Sequence, residues 1–178
     1  MHGYTDSAFR QLCKYINNSI VTFTEFVSAD GLAHNSKKSL EKLFFSKAEQ
    51  PIIAQIFGKD PESFSKAAKI CEDLGFSGID INMGCPAKKV VKSGHGLALR
   101  KNPDLALQLI EVLANSTKLP VSVKTRLGWD NANDLMTFAK SAENAGANMI
   151  AVHARTFNKP YSSVPDWVPS YELKNNIN

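Results

Sequence analysis

Strand-length apolar runs recur along this chain, and a helical pattern of apolar residues separates each run from the next. This alternation is typical of βα units, whose strands pair in parallel within one sheet. Asp60 and Asn102 each precede a proline and mark helix starts, whereas Gly75 and Gly146 lie where helices are expected to end. The predicted strands are residues 21–25, 52–57, 78–82, 121–126 and 149–153.

Composition is that of an ordinary globular chain with one core, since 43% of its 178 residues are hydrophobic and 21% are charged. We predict one α/β domain over residues 1–178, whose tail from Asn158 onward is a loop with a short helix. No apolar run reaches the roughly 18 residues of a membrane span, and no signal-like segment opens the sequence. A cytoplasmic location without membrane contact is therefore expected.

The cysteines fit neither a disulfide framework nor a zinc site, because there are three of them and none forms a CxxC pair. We expect reduced thiols and no bound metal. Cys13 and Cys71 each lie on the apolar stripe of a helical pattern and are predicted to be small buried side chains. Cys85 lies outside any such stripe.

Polar side chains lie near the C-terminal end of four predicted strands, on the face opposite the aliphatic residues. In a parallel barrel, strand residues point alternately outward to the helices and inward to the axis, and active sites lie at the C-terminal rim. Burying such groups together without a ligand would cost several kcal/mol. The sequence therefore predicts a binding site at this rim, formed by Gln55, Asn82, Lys124, Arg126 and His153.

Several segments, in order and at consistent spacing from residue 3 to about 167, carry a family resemblance. The central ones are DINMGCP at 80–86, KKVVKSGHG at 88–96 and KNP at 101–103. The chain resembles the tRNA-dihydrouridine synthases, in particular the bacterial branch once grouped with nitrogen-regulation proteins. The other matching segments are GYTDSAFR at 3–10, EFVSAD at 25–30, QIFG at 55–58, VKTRLGW at 123–129 and VHART at 152–156.

The resemblance implies a partial (β/α)8 TIM barrel, about strands 2 to 6 of 8, and FMN-dependent reduction of the uracil C5=C6 bond in tRNA with NADPH as reductant. It implies that hydride adds to C6 while Cys85 donates a proton to C5 from the opposite face, a role that a positioned thiol can perform. Gln55, Lys124 and His153 match flavin-contacting residues. A cation such as Lys124 would stabilise an anionic reduced flavin. Asn82 and Arg126 match residues near the uracil or the flavin.

Residues between Asp80 and Asp104 include no acid but several lysines. We expect Lys88, Lys89 and Lys92 to hold tRNA phosphates while the target uridine is drawn from its stack into the pocket.

Family members contain segments that this sequence does not: a first strand, a seventh and an eighth βα unit, and a C-terminal helical tRNA-binding domain. We therefore expect an incomplete catalytic domain, with a partner chain as one way to complete the barrel. Two other functions stay open: an FMN-barrel dehydrogenase of free pyrimidines, or a non-catalytic remnant that binds RNA.

Overall fold

A single parallel sheet organises the structure, a computed structural model that describes residues 3–177. Its spatial order is β1, β3, β4, β5, β6, and β2 also pairs with β3. This curled parallel half-barrel confirms the predicted α/β fold class and partial TIM barrel. The strands are β1 (Thr22–Phe23), β2 (Val27–Ser28), β3 (Ile52–Phe57), β4 (Gly78–Met83), β5 (Val121–Arg126) and β6 (Met149–His153).

The first predicted strand, residues 21–25, was wrong in its extent, because only Thr22–Phe23 (β1) form a strand within it and a second short strand (β2) follows at Val27–Ser28. Thr22 and Phe23 of β1 pair with the start of β3, and β2 pairs with its end. Between them the side-chain Oγ1 of Thr24 accepts a hydrogen bond from the backbone N–H of Gln55 at 3.0 Å. A side chain thus replaces a backbone acceptor there, and the strand is interrupted without leaving a buried donor unpaired.

Helices follow the strands where the sequence signals place them. The Asp60 side chain accepts from Ser63 N at 2.9 Å, and that of Asn102 accepts from Leu105 N at 3.3 Å, so both N-terminal caps are confirmed. Gly75 has φ of +82° beyond the end of α4, a conformation that favours glycine. The helices are α1 (Ser7–Ile16), α2 (Ala29–Ala33), α3 (Lys37–Glu41), α4 (Pro61–Asp73), α5 (Lys88–Lys92), α6 (Pro103–Ser116), α7 (Leu135–Asn144) and α8 (Val168–Lys174), with 3-10 helices at Lys47–Glu49 and Gly96–Lys101.

The main core lies between the outward face of the sheet and the helices. Ile56 and Ile81 are fully buried in the same cluster as Phe64 and Cys71 of α4. Each such aliphatic or aromatic side chain contributes about 1.5–3 kcal/mol through its removal from water. The prediction of a small buried side chain at Cys71 is confirmed. The outward residues of β6 are only half-buried, because among residues 3–177 this strand pairs with β5 alone.

Helix α1 does not bury its apolar stripe. Phe9, Leu12 and Ile16 are 49%, 56% and 76% exposed, and Cys13 is half-buried, so the predicted burial of Cys13 was wrong. Polar contacts hold the helix instead, because its Arg10 inserts into the protein and contacts Glu49 at 2.6 Å.

The tail from Asn158 forms a loop followed by α8, as predicted. Leu173 of α8 is buried in a second apolar cluster with Leu127, Leu135 and Ala139. None of the helices within residues 3–177 has the length and apolar character needed to cross a bilayer.

Candidate active site

Parallel register brings the predicted polar residues into layers at the C-terminal end of the sheet. Asn82 of β4 pairs with Lys124 of β5, and Arg126 at the end of β5 pairs with His153 of β6. One layer below, Gln55 of β3 pairs with Asp80 of β4. Since paired residues of neighbouring parallel strands point to the same face, the five predicted rim residues lie on one surface of the sheet.

The lowest layer is a buried polar cluster around Asp80, which has no exposed surface. Ser122 Oγ donates to Asp80 Oδ1 at 2.6 Å, and Gln55 Nε2 donates to Asp80 Oδ2 at 2.7 Å. Burial raises the pKa of the Asp80 carboxyl to about 6, although these two hydrogen bonds and the charge of Lys124 act in the opposite direction. With a pKa of about 6, Asp80 is mostly ionised at neutral pH, and its partners offset part of the cost of burial.

The Cys85 loop is fixed from three sides. Asn82 Oδ1 accepts from the backbone N–H of Cys85 at 3.0 Å, and Leu97 N–H donates to the carbonyl of Cys85 at 3.2 Å. Arg126 Nε donates to the carbonyl of Gly84 at 3.2 Å. Cys85 itself is half-buried. The thiol thus lies on a backbone held in place at the rim and is not sealed in the core.

Lys124 is a half-buried cation in the layer of Asn82. No hydrogen bond or ion pair of residues 3–177 involves its ammonium group. Burial lowers its pKa, the charge of Asp80 acts against that shift, and the neighbouring Arg126 adds to it. A ligand edge with hydrogen-bond acceptors, placed beside Lys124, would offset the energetic cost of removing its ammonium group from water.

His153 lies one layer above Lys124, paired with Arg126. Arg155 Nη1 is 2.8 Å from His153 Nε2, and the ring of Tyr161 stacks on the imidazole with centroids 5.5 Å apart. Burial, followed by the charges of Arg126, Lys124 and Arg155, lowers the pKa of His153 to about 4. His153 is therefore neutral at physiological pH.

Arg126 is 2% exposed and ties two loops together. Besides its bond to Gly84, its Nη1 donates to the carbonyl of Thr156 at 3.0 Å. Two of the guanidinium nitrogens thus donate to backbone carbonyls. The contact of Arg126 with uracil or flavin stays a prediction.

The three lysines predicted to contact tRNA are exposed on α5, which begins three residues after Cys85. Across residues 3–177, no group of three or more histidine, cysteine, aspartate or glutamate side chains is placed to hold a metal ion.

Four residues of this site were not identified from the sequence: Asp80, Ser122, Arg155 and Tyr161. Asp80 and Ser122 lie two residues before Asn82 and Lys124, on the same face of the sheet. The period of two that indicated Asn82 and Lys124 could therefore have indicated them as well. Arg155 and Tyr161 lie beyond β6 in irregular structure, where no periodicity shows which way a side chain points.

Comparisons with known proteins agree with this architecture. The probable tRNA-dihydrouridine synthase of Rickettsia conorii is 40% identical over 169 residues, which are 94% of this chain and 51% of that protein. The tRNA-dihydrouridine synthase B of Pseudomonas aeruginosa is 41% identical over 157 residues, which are 88% of this chain and 47% of that protein. The chain thus spans about half the length of these curated relatives.

Among solved structures, the carboxyl transferase domain of Rhizobium etli pyruvate carboxylase matches with a TM-score of 0.51 at 18% identity. The match covers 85% of this chain and 25% of that one, and at this identity it shows likeness of fold alone. The model of the Dihydrouridine synthase (Dus) family matches residues 1–178. The chain therefore belongs to the dihydrouridine synthase family.

Proposed function

We propose that this chain carries the uridine-reducing site of a tRNA-dihydrouridine synthase, which converts uridine in tRNA to 5,6-dihydrouridine with FMN as cofactor and NADPH as reductant. The observation that carries the proposal is the position of the Cys85 thiol. It is half-buried at the same rim as Lys124, a cation with no ion-pair contact within residues 3–177, and His153, a neutral imidazole. The names of the relatives support tRNA as the substrate.

The donor set fits the polar edge of a flavin ring. Gln55 Nε2 donates one hydrogen to Asp80 and has a second N–H free to donate to a ligand. The Lys124 ammonium has three N–H donors. His153 has one donor, on Nδ1, because its Nε2 accepts from Arg155. All three present donors, whereas a flavin ring edge presents carbonyl oxygens and ring nitrogens. We therefore assign Gln55, Lys124 and His153 to the cofactor, which when bound supplies the hydride for C6 of uracil.

Cys85 supplies the proton. As C6 gains hydride, the C5=C6 electrons move to C5 and the C4 carbonyl, and the Sγ–H bond of Cys85 breaks to form the C5–H bond. The thiolate then regains a proton from solvent, which reaches a half-buried side chain. We assign Asn82 to the uracil because the hydrogen bond from Cys85 N to its side chain keeps it beside the thiol.

Recognition of tRNA is assigned to the exposed lysines of α5 after Cys85, where phosphate contacts would bring a flipped uridine toward the thiol. A cytoplasmic location and a partner chain that completes the barrel also stay predictions. The half-exposed edge strand β6, with Met149 44% exposed, supports the second of these.

Flavin binding by the purified protein tests the proposal. Titration with FMN should quench flavin fluorescence and perturb its absorbance near 450 nm, and Lys124→Met should weaken the affinity about tenfold, the effect of one charged hydrogen bond. Lys69→Met, an exposed lysine on α4, is the matched control and should have no effect. Absence of FMN binding by the wild-type protein would contradict the proposal, and turnover of free uracil without turnover of tRNA would favour a pyrimidine dehydrogenase instead.

A further inference from the structure

A continuous chain of hydrogen bonds runs from the closed end of the site to the Cys85 loop. Ser122 and Gln55 both donate to the Asp80 carboxylate, at 2.6 and 2.7 Å. Above them Asn82 Nδ2 donates to Gln55 Oε1 at 3.3 Å. Asn82 Oδ1 in turn accepts from the N–H of Cys85 at 3.0 Å. A fully buried carboxylate is thereby connected to the backbone that carries the thiol.

The chemical groups at its two ends give this series of hydrogen bonds a single donor-to-acceptor direction. An ionised carboxylate can only accept, so Gln55 must turn its NH2 group toward Asp80 and its oxygen toward Asn82. A backbone N–H can only donate, so Asn82 must turn its oxygen toward Cys85. Both amides could be reversed in isolation, but between these ends each has one orientation that satisfies every group.

We propose that Asp80 is a positioning residue, whose carboxylate orients the Gln55 and Asn82 amides and thereby holds the Cys85 loop in the conformation that presents the thiol. This inference rests on the proposed function only in taking Cys85 as the residue that must be presented. Asp80 itself contacts neither substrate nor cofactor. It acts through two intervening side chains and lies at the base of the site.

A neutral residue would fill the same space without the cost of a buried charge. Asparagine at position 80, however, could offer Gln55 either an oxygen or an NH2 group, because the Ser122 hydroxyl can donate or accept. Only the Cys85 N–H would then set the direction of the hydrogen bonds. The charge at Asp80 therefore fixes the amide orientations from a second end, which an uncharged amide at position 80 does not do.

Alkylation of the three cysteines by iodoacetamide, resolved by peptide mass spectrometry, tests the inference without cofactor or tRNA. At pH 8 Asp80 is ionised, since this pH lies above its pKa of about 6. The half-buried Cys13 is an internal reference. Cys71 monitors global unfolding, because burial raises its pKa to about 12 and keeps it unreactive in the folded protein.

Two variants separate orientation from mere packing. Asp80→Leu removes the acceptor and should speed alkylation of Cys85 about tenfold, because the half-buried thiol is held in one conformation by the restrained loop and becomes accessible to reagent more often once a restraint of one charged hydrogen bond is lost. The double variant D80N/Q55E moves the carboxylate to position 55, where it can accept both from the new amide at position 80 and from Asn82, so the direction above it is kept. It should react at the wild-type rate although two buried residues have changed.

An unchanged Cys85 rate in Asp80→Leu would overturn the inference. So would fast Cys85 alkylation in D80N/Q55E with Cys71 still protected. If Cys71 becomes reactive in Asp80→Leu, that variant has unfolded, and the result for D80N/Q55E alone then tests the inference. Because neither flavin nor tRNA is present, these results stand apart from the success or failure of the proposed activity.

Discussion

Arg155 donates a hydrogen bond from Nη1 to Nε2 of His153 across 2.8 Å, and this contact determines which imidazole nitrogen carries the proton. A guanidinium is always charged and only donates, so Nε2 must accept and the hydrogen must lie on Nδ1. Arg155 is itself anchored by the carbonyl of Ser163, 3.0 Å from its Nε. The loop after β6 thereby makes His153 a neutral hydrogen-bond donor.

Replacing Arg155 by methionine should raise the pKa of His153 from about 4 toward its ordinary value, because one of three neighbouring cations is removed. Burial and the charges of Arg126 and Lys124 remain, so the rise should be partial. An NMR titration of the His153 ring measures it, with the exposed cation of the same loop changed in Lys159→Met as control. An identical midpoint in Arg155→Met and wild type would contradict the assignment.

The lowered pKa of His153 also makes the stability of the folded protein depend on pH. Between about pH 4 and 6.5 the unfolded chain binds a proton at His153 and the folded chain does not. The contribution of His153 is therefore fully present above pH 6.5 and is lost as the pH falls toward 4.

Helix and strand positions could be predicted from the sequence because period and capping are local properties. Ile52–Phe57 and Val121–Arg126 were predicted to the residue, since each is a short apolar run closed by turn signals. The break at Thr24 could not be predicted, because it depends on a hydrogen bond to a residue 31 positions away. The exposed face of α1 was missed for a related reason: an apolar stripe does not reveal whether another element covers it.

The rim residues were predictable because parallel strands bring every second residue to one face. The hydrogen bonds that connect these residues were not predictable. The Asp80 network and the Arg155 contact join residues from different βα units, and a single sequence gives no distance between them. Sequence reasoning thus predicted which polar groups share the rim, and the structure was needed to find what orients them.

Gly96→Ala should destabilise the protein and disturb Cys85. Gly96 has φ of +61°, and a Cβ there would lie 2.8 Å from the carbonyl oxygen of Cys85 and 3.0 Å from Val90 Cγ1. Gly94→Ala is a matched control, because φ is +81° there but the nearest atom is 3.7 Å away on the flexible Lys59 side chain. Both variants incur about 1 kcal/mol for the left-handed conformation, and only Gly96→Ala adds a clash with backbone.

Urea denaturation measures the difference between these two glycine variants. Gly96→Ala should lose at least about 1 kcal/mol more than Gly94→Ala, since the Cys85 loop must shift. Equal losses would show that Gly96 does not support the loop that carries the thiol.

Glu49→Gln should destabilise the protein by about 3 kcal/mol at pH 7, because it leaves the buried Arg10 guanidinium without its charge partner. Burial alone would raise the pKa of Glu49, but hydrogen bonds from Ser7, Ser46 and Arg10 outweigh it and leave the pKa lowered. Its stabilisation is therefore present above the ordinary carboxyl pKa and is lost as pH falls through the folded value.

The same substitution in an exposed ion pair is the control for Glu49→Gln. Glu62 lies 2.7 Å from Lys66 on the surface of α4, where water screens the charges and such a pair stabilises the fold little. Urea denaturation of Glu49→Gln and Glu62→Gln should separate them clearly. Similar midpoints would mean that the Arg10 contact does not hold α1 in place.

Replacing Lys88, Lys89 and Lys92 together by glutamate should weaken tRNA binding, and by more at low salt than at high salt, because phosphate contacts release counter-ions. Fluorescence anisotropy with labelled tRNA at several salt concentrations measures both effects. The control changes the same total charge at three exposed lysines elsewhere, Lys69, Lys118 and Lys140. Equal losses in the two triple variants would indicate a general charge effect and remove α5 as the tRNA contact.

The most direct test of the central claim is the rate at which the protein, with FMN and NADPH, forms dihydrouridine in an unmodified tRNA transcript, measured by nucleoside mass spectrometry. Cys85→Ala should lower this rate at least about 100-fold, the contribution of a positioned general acid, while Cys13→Ala should leave it unchanged. Dihydrouridine formation by Cys85→Ala at the wild-type rate, or none by the wild-type protein, would contradict the account.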